Sequence, residues 1–170
     1  TYNANNNLAQ IQRAGGEIEH YVEYERWEVR PPGVVRGTRL ARIHNPRTDT
    51  TDFYENDNGR ARHVRQEIVG GDFTYYEGPA GAERRLSVRH RDGRIDYYAI
   101  HGHAGYAEGD LMRTENPDRS VDHYERGRLA RREFPDHRHQ TYEYVLRADG
   151  RLQNRQQILY AADGDMVHVE

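Results

Sequence analysis

Apolar and polar residues alternate along short stretches of this chain, and each stretch ends at glycine or at an Asp-Gly pair. Within Arg84–His90, Leu86 and Val88 place apolar side chains at every second position, which is the period of a β-strand with one buried face. The aromatic segment Phe73–Glu77 precedes this stretch, and Asp92-Gly93 follows it as a dipeptide favoured in tight hairpin turns. The pattern predicts pairs of short antiparallel strands joined by turns.

The same arrangement repeats at an interval of 22 residues. A shift of 22 places Tyr54 on Tyr76 and Tyr76 on Tyr98, and a longer step of 26 residues then reaches Tyr124. Both steps are even, so each returns a strand residue to the same face of a sheet. We predict that these four tyrosines form an aromatic ladder, in which each cross-strand pair contributes roughly 0.2–1 kcal/mol relative to alanine.

These repeats predict an all-β fold, an elongated and twisted antiparallel sheet of tandem hairpins of about 22 residues each. Within a single repeat domain, 1–170, we expect an N-terminal extension or cap at 1–16, divergent first hairpins at 17–48, the best repeats at 49–128 and divergent C-terminal hairpins at 129–170. Residues 8–14 follow asparagine and precede Gly15-Gly16, which are helix end signals. We therefore expect a short helix there that caps the first hairpin.

One segment resembles a known repeat family. Tyr76-Glu77-Gly78-Pro79-Ala80-Gly81, followed by Ala82-Glu83-Arg84 and by Asp92-Gly93-Arg94, is similar to the MORN repeat and to its variants in proteins of unicellular algae and large viruses. MORN units carry Gly-x-Gly in their second half, where this chain has Asp-Gly-Arg. The resemblance implies a row of β-hairpins used as structural material.

A second resemblance covers the C-terminal part of the chain. The C-terminal part contains Tyr142-Glu143-Tyr144 followed by Asp149-Gly150-Arg151-Leu152. This segment resembles the tyrosine–aspartate (YD) repeats of RHS-type shell proteins, although its interval between Tyr and Asp-Gly is about two residues longer than in those repeats. This resemblance also implies β-hairpin repeats as structural material, so both lead to the same fold.

Composition fits a thin β-structure and excludes several chemistries. Hydrophobic residues make up 35 %, charged residues 31 %, and the mean hydropathy is -1.14, whereas thirteen tyrosines favour order over disorder. The chain lacks cysteine and lysine, which excludes disulfides, thiolate metal sites and lysine Schiff bases.

No stretch approaches the ~18–20 apolar residues of a membrane span, which leaves a soluble or a peripherally membrane-associated location. The chain begins at Thr1, and we expect it to be processed or part of a longer protein.

Two arginine clusters are candidates for binding phosphates or lipid head groups. They contain Arg84, Arg85, Arg89 and Arg91 in the first, and Arg126, Arg128, Arg131 and Arg132 in the second. The MORN resemblance implies a link to membranes, which supports this use. The neighbouring Glu83, Glu125 and Glu133, with a net charge of -3, favour cross-strand ion pairs instead, and nucleic acid is not an expected partner.

Two histidine pairs, His101 with His103 and His137 with His139, have a spacing that would place both imidazoles on one face of a strand. Such pairs suit zinc or copper, but two ligands do not define a site, so we predict no metal and no other cofactor. Ser87 lies outside any G-x-S-x-G motif, as does Ser120, the other serine, and nucleophilic catalysis has no support.

The sequence therefore favours a non-catalytic scaffold that mediates protein–protein interaction within a larger assembly, through one sheet face or an open edge. The alternative is a peripheral membrane module that binds anionic lipids or phosphates.

Overall fold

The computed structural model describes residues 1–2, 9–29, 32–102, 106–149 and 151–170, with side chains outside 23–29, 32–37 and 152. The described residues form β-strands and turns and contain no helix, and the strands lie in one open antiparallel sheet in their order along the chain. This confirms the predicted all-β fold of consecutive hairpins. The strands are β1 (Gln10–Gln12), β2 (Ile18–Val29), β3 (Pro32–Asn45), β4 (Thr50–Asp57), β5 (Arg60–Ile68), β6 (Phe73–Glu77), β7 (Arg84–Arg89), β8 (Ile95–Tyr98), β9 (Leu111–Glu115), β10 (Val121–Glu125), β11 (Arg128–Glu133), β12 (His139–Leu146), β13 (Leu152–Tyr160) and β14 (Met166–Val169).

The chain divides into two compact units, residues 1–84 and 85–170. The first unit contains β1 to β6, and the second contains β8 to β14. The boundary falls within β7, whose first residue, Arg84, belongs to the first unit and whose other residues belong to the second. Among the described residues, no helix has the length and apolarity needed to cross a membrane. The proposed boundaries of the repeat regions stay a prediction.

The helix predicted for residues 8–14 is wrong. Gln10–Gln12 form β1, which pairs with β2, while Leu8 lies outside the described residues. The glycine pair that resembles a helix end instead closes a hairpin: Gly16 has φ +92° and donates its N–H to the carbonyl of Arg13 at 2.9 Å. A helix of this length is marginal by itself, whereas pairing with β2 satisfies the backbone groups of β1.

A β-bulge recurs in the hairpins at the position just before a tyrosine. The pairing register shifts by one residue before Tyr21, Tyr54, Tyr98, Tyr124 and Tyr144. A bulge adds one residue to one strand of a pair, here to the strand opposite the tyrosine. It bends that strand and increases its twist, so the repeated tyrosine marks a repeated bend. Three of the four predicted ladder tyrosines thus hold equivalent positions, and the series extends to both ends of the array.

The described hairpins include two kinds of turn that differ in length. Asn58-Gly59 and Arg126-Gly127 are two-residue turns with positive φ at both residues, which is the type I′ geometry. At Asp92-Gly93 only the glycine has positive φ, and its N–H donates to the carbonyl of His90 at 3.0 Å. The side chain of Asp92 accepts the N–H of Arg94 at 2.9 Å. The turn is therefore longer than the tight hairpin turn that the dipeptide favours.

The core of the second unit is a row of mostly polar side chains across the sheet. Its strands place Val88, Asp96, Thr114, Asp122 and Arg132 opposite one another in turn. The first four are between 3 % and 7 % exposed. Thr114 donates to the carboxylate of Asp96 at 2.7 Å, and Arg132 donates twice to that of Asp122, at 2.6 and 2.8 Å. Paired polar groups thus occupy positions that apolar residues usually hold, which accounts for the low mean hydropathy.

The first unit contains an equivalent row. Ile43, Asp52, Gln66 and Thr74 lie opposite one another on β3 to β6. The side-chain amide of Gln66 donates to the carboxylate of Asp52 at 2.8 Å. In both units the row passes two residues before the repeat tyrosine. The extra residue of each bulge is on the neighbouring strand, as Val64, Met112 and Ala130 are, so the tyrosine and its row residue share one face of their own strand.

Candidate functional site

The aromatic ladder of the first unit needs a ring between its tyrosines. Tyr54 on β4 and Tyr76 on β6 lie two strands apart, and His63 on β5 fills the space between them. The ring centroid of His63 is 4.2 Å from that of Tyr76 and 5.2 Å from that of Tyr54. Adjacent strands are about 4.8 Å apart, so tyrosines one hairpin apart contact each other only through an intermediate side chain. Burial raises the pKa of Tyr54.

The two ladder tyrosines of the second unit have different neighbours. Tyr98 lies opposite Leu111, and the guanidinium carbon of Arg85 is 5.2 Å from the centroid of its ring. Tyr124 lies opposite Leu129. An apolar side chain therefore takes the place beside each of these rings that His63 takes in the first unit.

Two of the predicted anion-binding arginines are engaged in ion pairs. Arg131 contacts Glu133 at 3.1 Å, and Arg132 forms its paired hydrogen bonds with Asp122. Burial alone would raise the pKa of Asp122, but the hydrogen bonds from Arg132 and from Asn116 outweigh it and lower that pKa below its ordinary value. These arginines therefore serve the sheet itself.

The other predicted arginines lie in separate surroundings. Arg84 donates to the carbonyl of Glu83 at 3.3 Å, and Arg85 covers the ring of Tyr98. Arg89 and Arg128 are exposed, and none of the ion pairs of the described residues involves either.

The candidate histidines also separate. His101 is exposed, and His103 lies outside the described residues. His137 occupies a turn at φ +67°, so the strand spacing does not apply to its pair, and the ring of His139 stacks on Tyr160 with centroids 4.7 Å apart. The described residues contain no group of three or more side chains suited to hold a metal ion.

A groove of about 500 Å³ lies on the hairpin β10–β11 and the adjacent strand β12. Its volume is within the range of about 300–1,000 Å³ that is usual for ligand sites. The groove is lined by Tyr106, Glu125, Arg126, Arg128, Ala130, Tyr142 and Tyr144. We call it the tyrosine–arginine groove.

Strand alternation and a bulge bring this lining together. Tyr142 and Tyr144 are two residues apart on β12, a spacing at which both side chains point to the same face. On β11, Arg128 pairs with Glu125, and Ala130 is the extra residue of the bulge opposite Tyr124. Tyr106 reaches the groove from the segment between β8 and β9.

The tyrosine hydroxyls of the groove are bound to the protein. Tyr106 donates to the carbonyl of Tyr124 at 2.7 Å, and Tyr144 donates to the carbonyl of Leu129 at 2.9 Å. Tyr142 donates to the side chain of Gln140 at 3.1 Å, and burial raises its pKa. With their hydroxyls fixed, the three rings present mainly carbon to the groove.

The charged groups of the groove are two arginines and one glutamate. Arg126 forms the type I′ turn, and Glu125 and Arg128 flank it as opposite residues of the hairpin. Across the part of the chain that the structure describes, no ion pair involves any of the three. The groove therefore has a net positive charge and guanidinium groups without a carboxylate partner.

No sequence pattern links Tyr106, Tyr142 and Tyr144 to the arginines, because these residues come from separate strands and a connecting segment. A signal for Arg126 was present. The corresponding turn of the hairpin β4–β5 has Asn58 before its glycine, as is usual for this turn type, and Arg126 is an exception.

Comparison with known proteins adds one structural likeness. No protein-family model matches the chain, MORN repeats included, and no curated protein matches it. Among solved structures, a mutant of the TCP10 domain of Danio rerio CPAP is similar, with a TM-score of 0.39 and 15 % sequence identity, over 100 % of this chain and 92 % of that chain. At this level of similarity, function must be argued from the residues of the chain itself.

Proposed function

We propose that the chain is a non-catalytic scaffold that binds a partner protein by accepting one of its β-strands at the edge of β14. The observation that carries the proposal is the state of this strand. Among the described residues, β14 lies at one end of the sheet order and pairs with β13 alone. Its apolar side chains are exposed, with 63 % for Met166, 59 % for Val167 and 42 % for Val169.

The backbone of β14 supports pairing with a further strand. Glu170 and Gln157 exchange both backbone hydrogen bonds, at 2.8 and 2.9 Å, so they form a hydrogen-bonded pair of the antiparallel ladder. The preceding pair, Val169 with Ile158, is then of the other kind, and the N–H and C=O of Val169 point away from β13. Such outward groups are a template for strand addition.

The edge at β1 is different. The carbonyl of Thr1 accepts the N–H of Gln10 at 3.2 Å. A backbone N–H of β1 that a partner strand would need is thus already engaged within the chain, which supports β14 as the binding edge.

The ion pairs of Arg131 and Arg132 bear on the alternative function. They neutralise two of the arginines considered for lipid or phosphate binding. A cationic surface with fewer free charges binds an anionic membrane less strongly, which favours the scaffold.

Substitution of Val169 tests the proposal. Val169→Pro removes the outward N–H but leaves the hydrogen bonds between β14 and β13 in place. Val169→Thr is the control, because it keeps both the N–H and the branched side chain. The immobilised full chain is incubated with a lysate of its source organism. We expect wild type and Val169→Thr to retain a stoichiometric partner that Val169→Pro does not retain. Amide hydrogen exchange of residues 166–169 should be slower in the complex than in the free chain.

Two results would contradict the proposal. One is the absence of any stoichiometric partner of the wild-type chain. The other is a partner that Val169→Pro retains as well as wild type does, since its binding would not require the edge of β14.

A further inference from the structure

We infer that the tyrosine–arginine groove binds an acidic segment of a partner protein, with an apolar side chain of that segment on the tyrosine rings and its carboxylates on Arg126 and Arg128. This inference rests on the proposed scaffold function and assigns it a second contact, on a sheet face rather than at an edge.

Charge complementarity is the first argument. Arg126 and Arg128 are exposed and belong to no ion pair of the described residues, although 28 acidic residues occur in the chain. Guanidinium groups bind carboxylates through two parallel hydrogen bonds, and both groups lie at the turn end of one hairpin. Glu125 opposes this charge only in part.

The lining residues are the second argument. Tyrosine and arginine are the residue types enriched at protein–protein interfaces and among the residues that contribute most to binding. The hydroxyls of Tyr106 and Tyr144 are bound to backbone carbonyls, which holds their rings in place before a partner arrives. Fixed rings lose little conformational entropy on binding.

The conformation of Arg126 is the third argument. It has φ +51°, a region that is sterically unfavourable for a residue with a long side chain, while Asn58 at φ +50° holds the same place in the hairpin β4–β5. The hairpin β4–β5 has a groove of about 250 Å³ at its turn end without an aromatic lining residue, and another of about 350 Å³, away from the turn, that is lined by Phe53, Tyr54 and Tyr75. Of the two turn-end grooves, the strained arginine thus lies at the one that has aromatic lining residues.

Peptide binding to the full chain tests the inference. The probe is a fluorescein-labelled peptide of alternating glutamate and phenylalanine, followed by anisotropy, and a second peptide has lysine in place of glutamate. We expect the acidic peptide to bind, the lysine peptide to bind at least about fivefold more weakly, and binding to weaken as salt is raised.

Three variants localise the site. Arg126→Asn and Arg128→Gln should each weaken binding of the acidic peptide about fivefold or more, whereas Glu125→Gln should strengthen it about twofold. Arg155→Gln on β13 is the control, because it removes the same charge from an exposed position outside the groove. Arg126→Asn should also unfold at the same or a higher temperature, which separates lost binding from lost folding.

The inference is overturned if the acidic peptide does not bind, if the lysine peptide binds equally well, or if Arg155→Gln weakens binding as much as the groove variants do. These results are distinguishable from failure of the scaffold proposal. A partner lost with Val169→Pro but retained by Arg126→Asn and Arg128→Gln would support the edge and refute the groove. If the acidic peptide binds at the groove but the chain retains no stoichiometric partner, the result would support the groove and refute the edge.

Discussion

Replacement of Arg132 by methionine should destabilise the second unit much more than the same change at its neighbour Arg131. Both arginines contact a carboxylate, but the surroundings differ. The side chain of Asp122 is 6 % exposed and accepts two hydrogen bonds from Arg132. The pair of Arg131 with Glu133 is more than 40 % exposed on both sides.

The magnitude follows from what the carboxylate loses. Breaking a fully buried ion pair costs about 3–5 kcal/mol, since one charge stays buried without its partner. Arg132 is partly exposed, and Asn116 still donates to Asp122 at 3.1 Å. We therefore expect Arg132→Met to lower the free energy of unfolding by about 2–3 kcal/mol, or the melting temperature by roughly 5–10 °C for a chain of this size. Arg131→Met should cost about 0.5 kcal/mol or less.

The pH dependence gives an independent test of the same argument. The pKa of Asp122 is lowered in the folded protein. The contribution of its ion pair to stability is therefore fully present above the pKa of about 3.9 in the unfolded chain, and it is lost as the pH falls through the lower pKa of the folded protein. The difference between wild type and Arg132→Met, measured by urea unfolding, should therefore shrink below about pH 4. Equal losses for the two variants at neutral pH, or a difference that persists unchanged in acid, would refute the reasoning.

Two further predictions concern backbone conformation. Gly78 has φ +120°, and a Cβ there would lie 2.8 Å from the carbonyl oxygen of Ala82, so Gly78→Ala should lower the free energy of unfolding by about 2 kcal/mol or more. Gly59→Ala, where a Cβ would meet open space, should cost about 1 kcal/mol in the same denaturation assay, and equal costs would contradict the steric argument. His137 has φ +67° and an exposed side chain, so His137→Gly should stabilise the protein by about 0.5–1 kcal/mol. A lower melting temperature of this variant would show that the ring contributes more than the strain costs.

The strands could be predicted because the signals that define them are local. The segment Phe73–Glu77 has the bounds that the pattern indicates, and β7 ends at Arg89, one residue before the end of the predicted stretch Arg84–His90. The helix prediction for residues 8–14 was wrong because it also relied on a local signal, and a glycine pair can end a helix or form the turn of a hairpin. The bulges were not visible, because the even spacing of the repeat assumed unbroken strands. A bulge at the same place in successive hairpins leaves that spacing intact.

The site was less predictable, because pairing across strands decides which charges are free. Arg131 and Arg132 are adjacent in sequence and look alike, yet the register places Arg132 opposite Asp122 in the buried row and Arg131 opposite His123. Arg128 lies opposite Glu125 in the hairpin and yet belongs to no ion pair of the described residues, which no local pattern shows. The tyrosine–arginine groove depends on the same long-range register, which brings Tyr142 and Tyr144 beside β11.

The buried polar row explains how such a sheet can vary its binding residues without changing its fold. A carboxylate two residues before the repeat tyrosine accepts a hydrogen bond from an amide, a hydroxyl or a guanidinium in three hairpins, at Asp52, Asp96 and Asp122. The acceptor is kept while its donor changes, so the row tolerates different partners at a fixed position. The two-residue turns lie outside the row, and one has Asn58 where the other has Arg126. Because the turns lie outside the row, a turn residue can change without altering the hydrogen bonds of the row, which is a property that the proposed scaffold function requires.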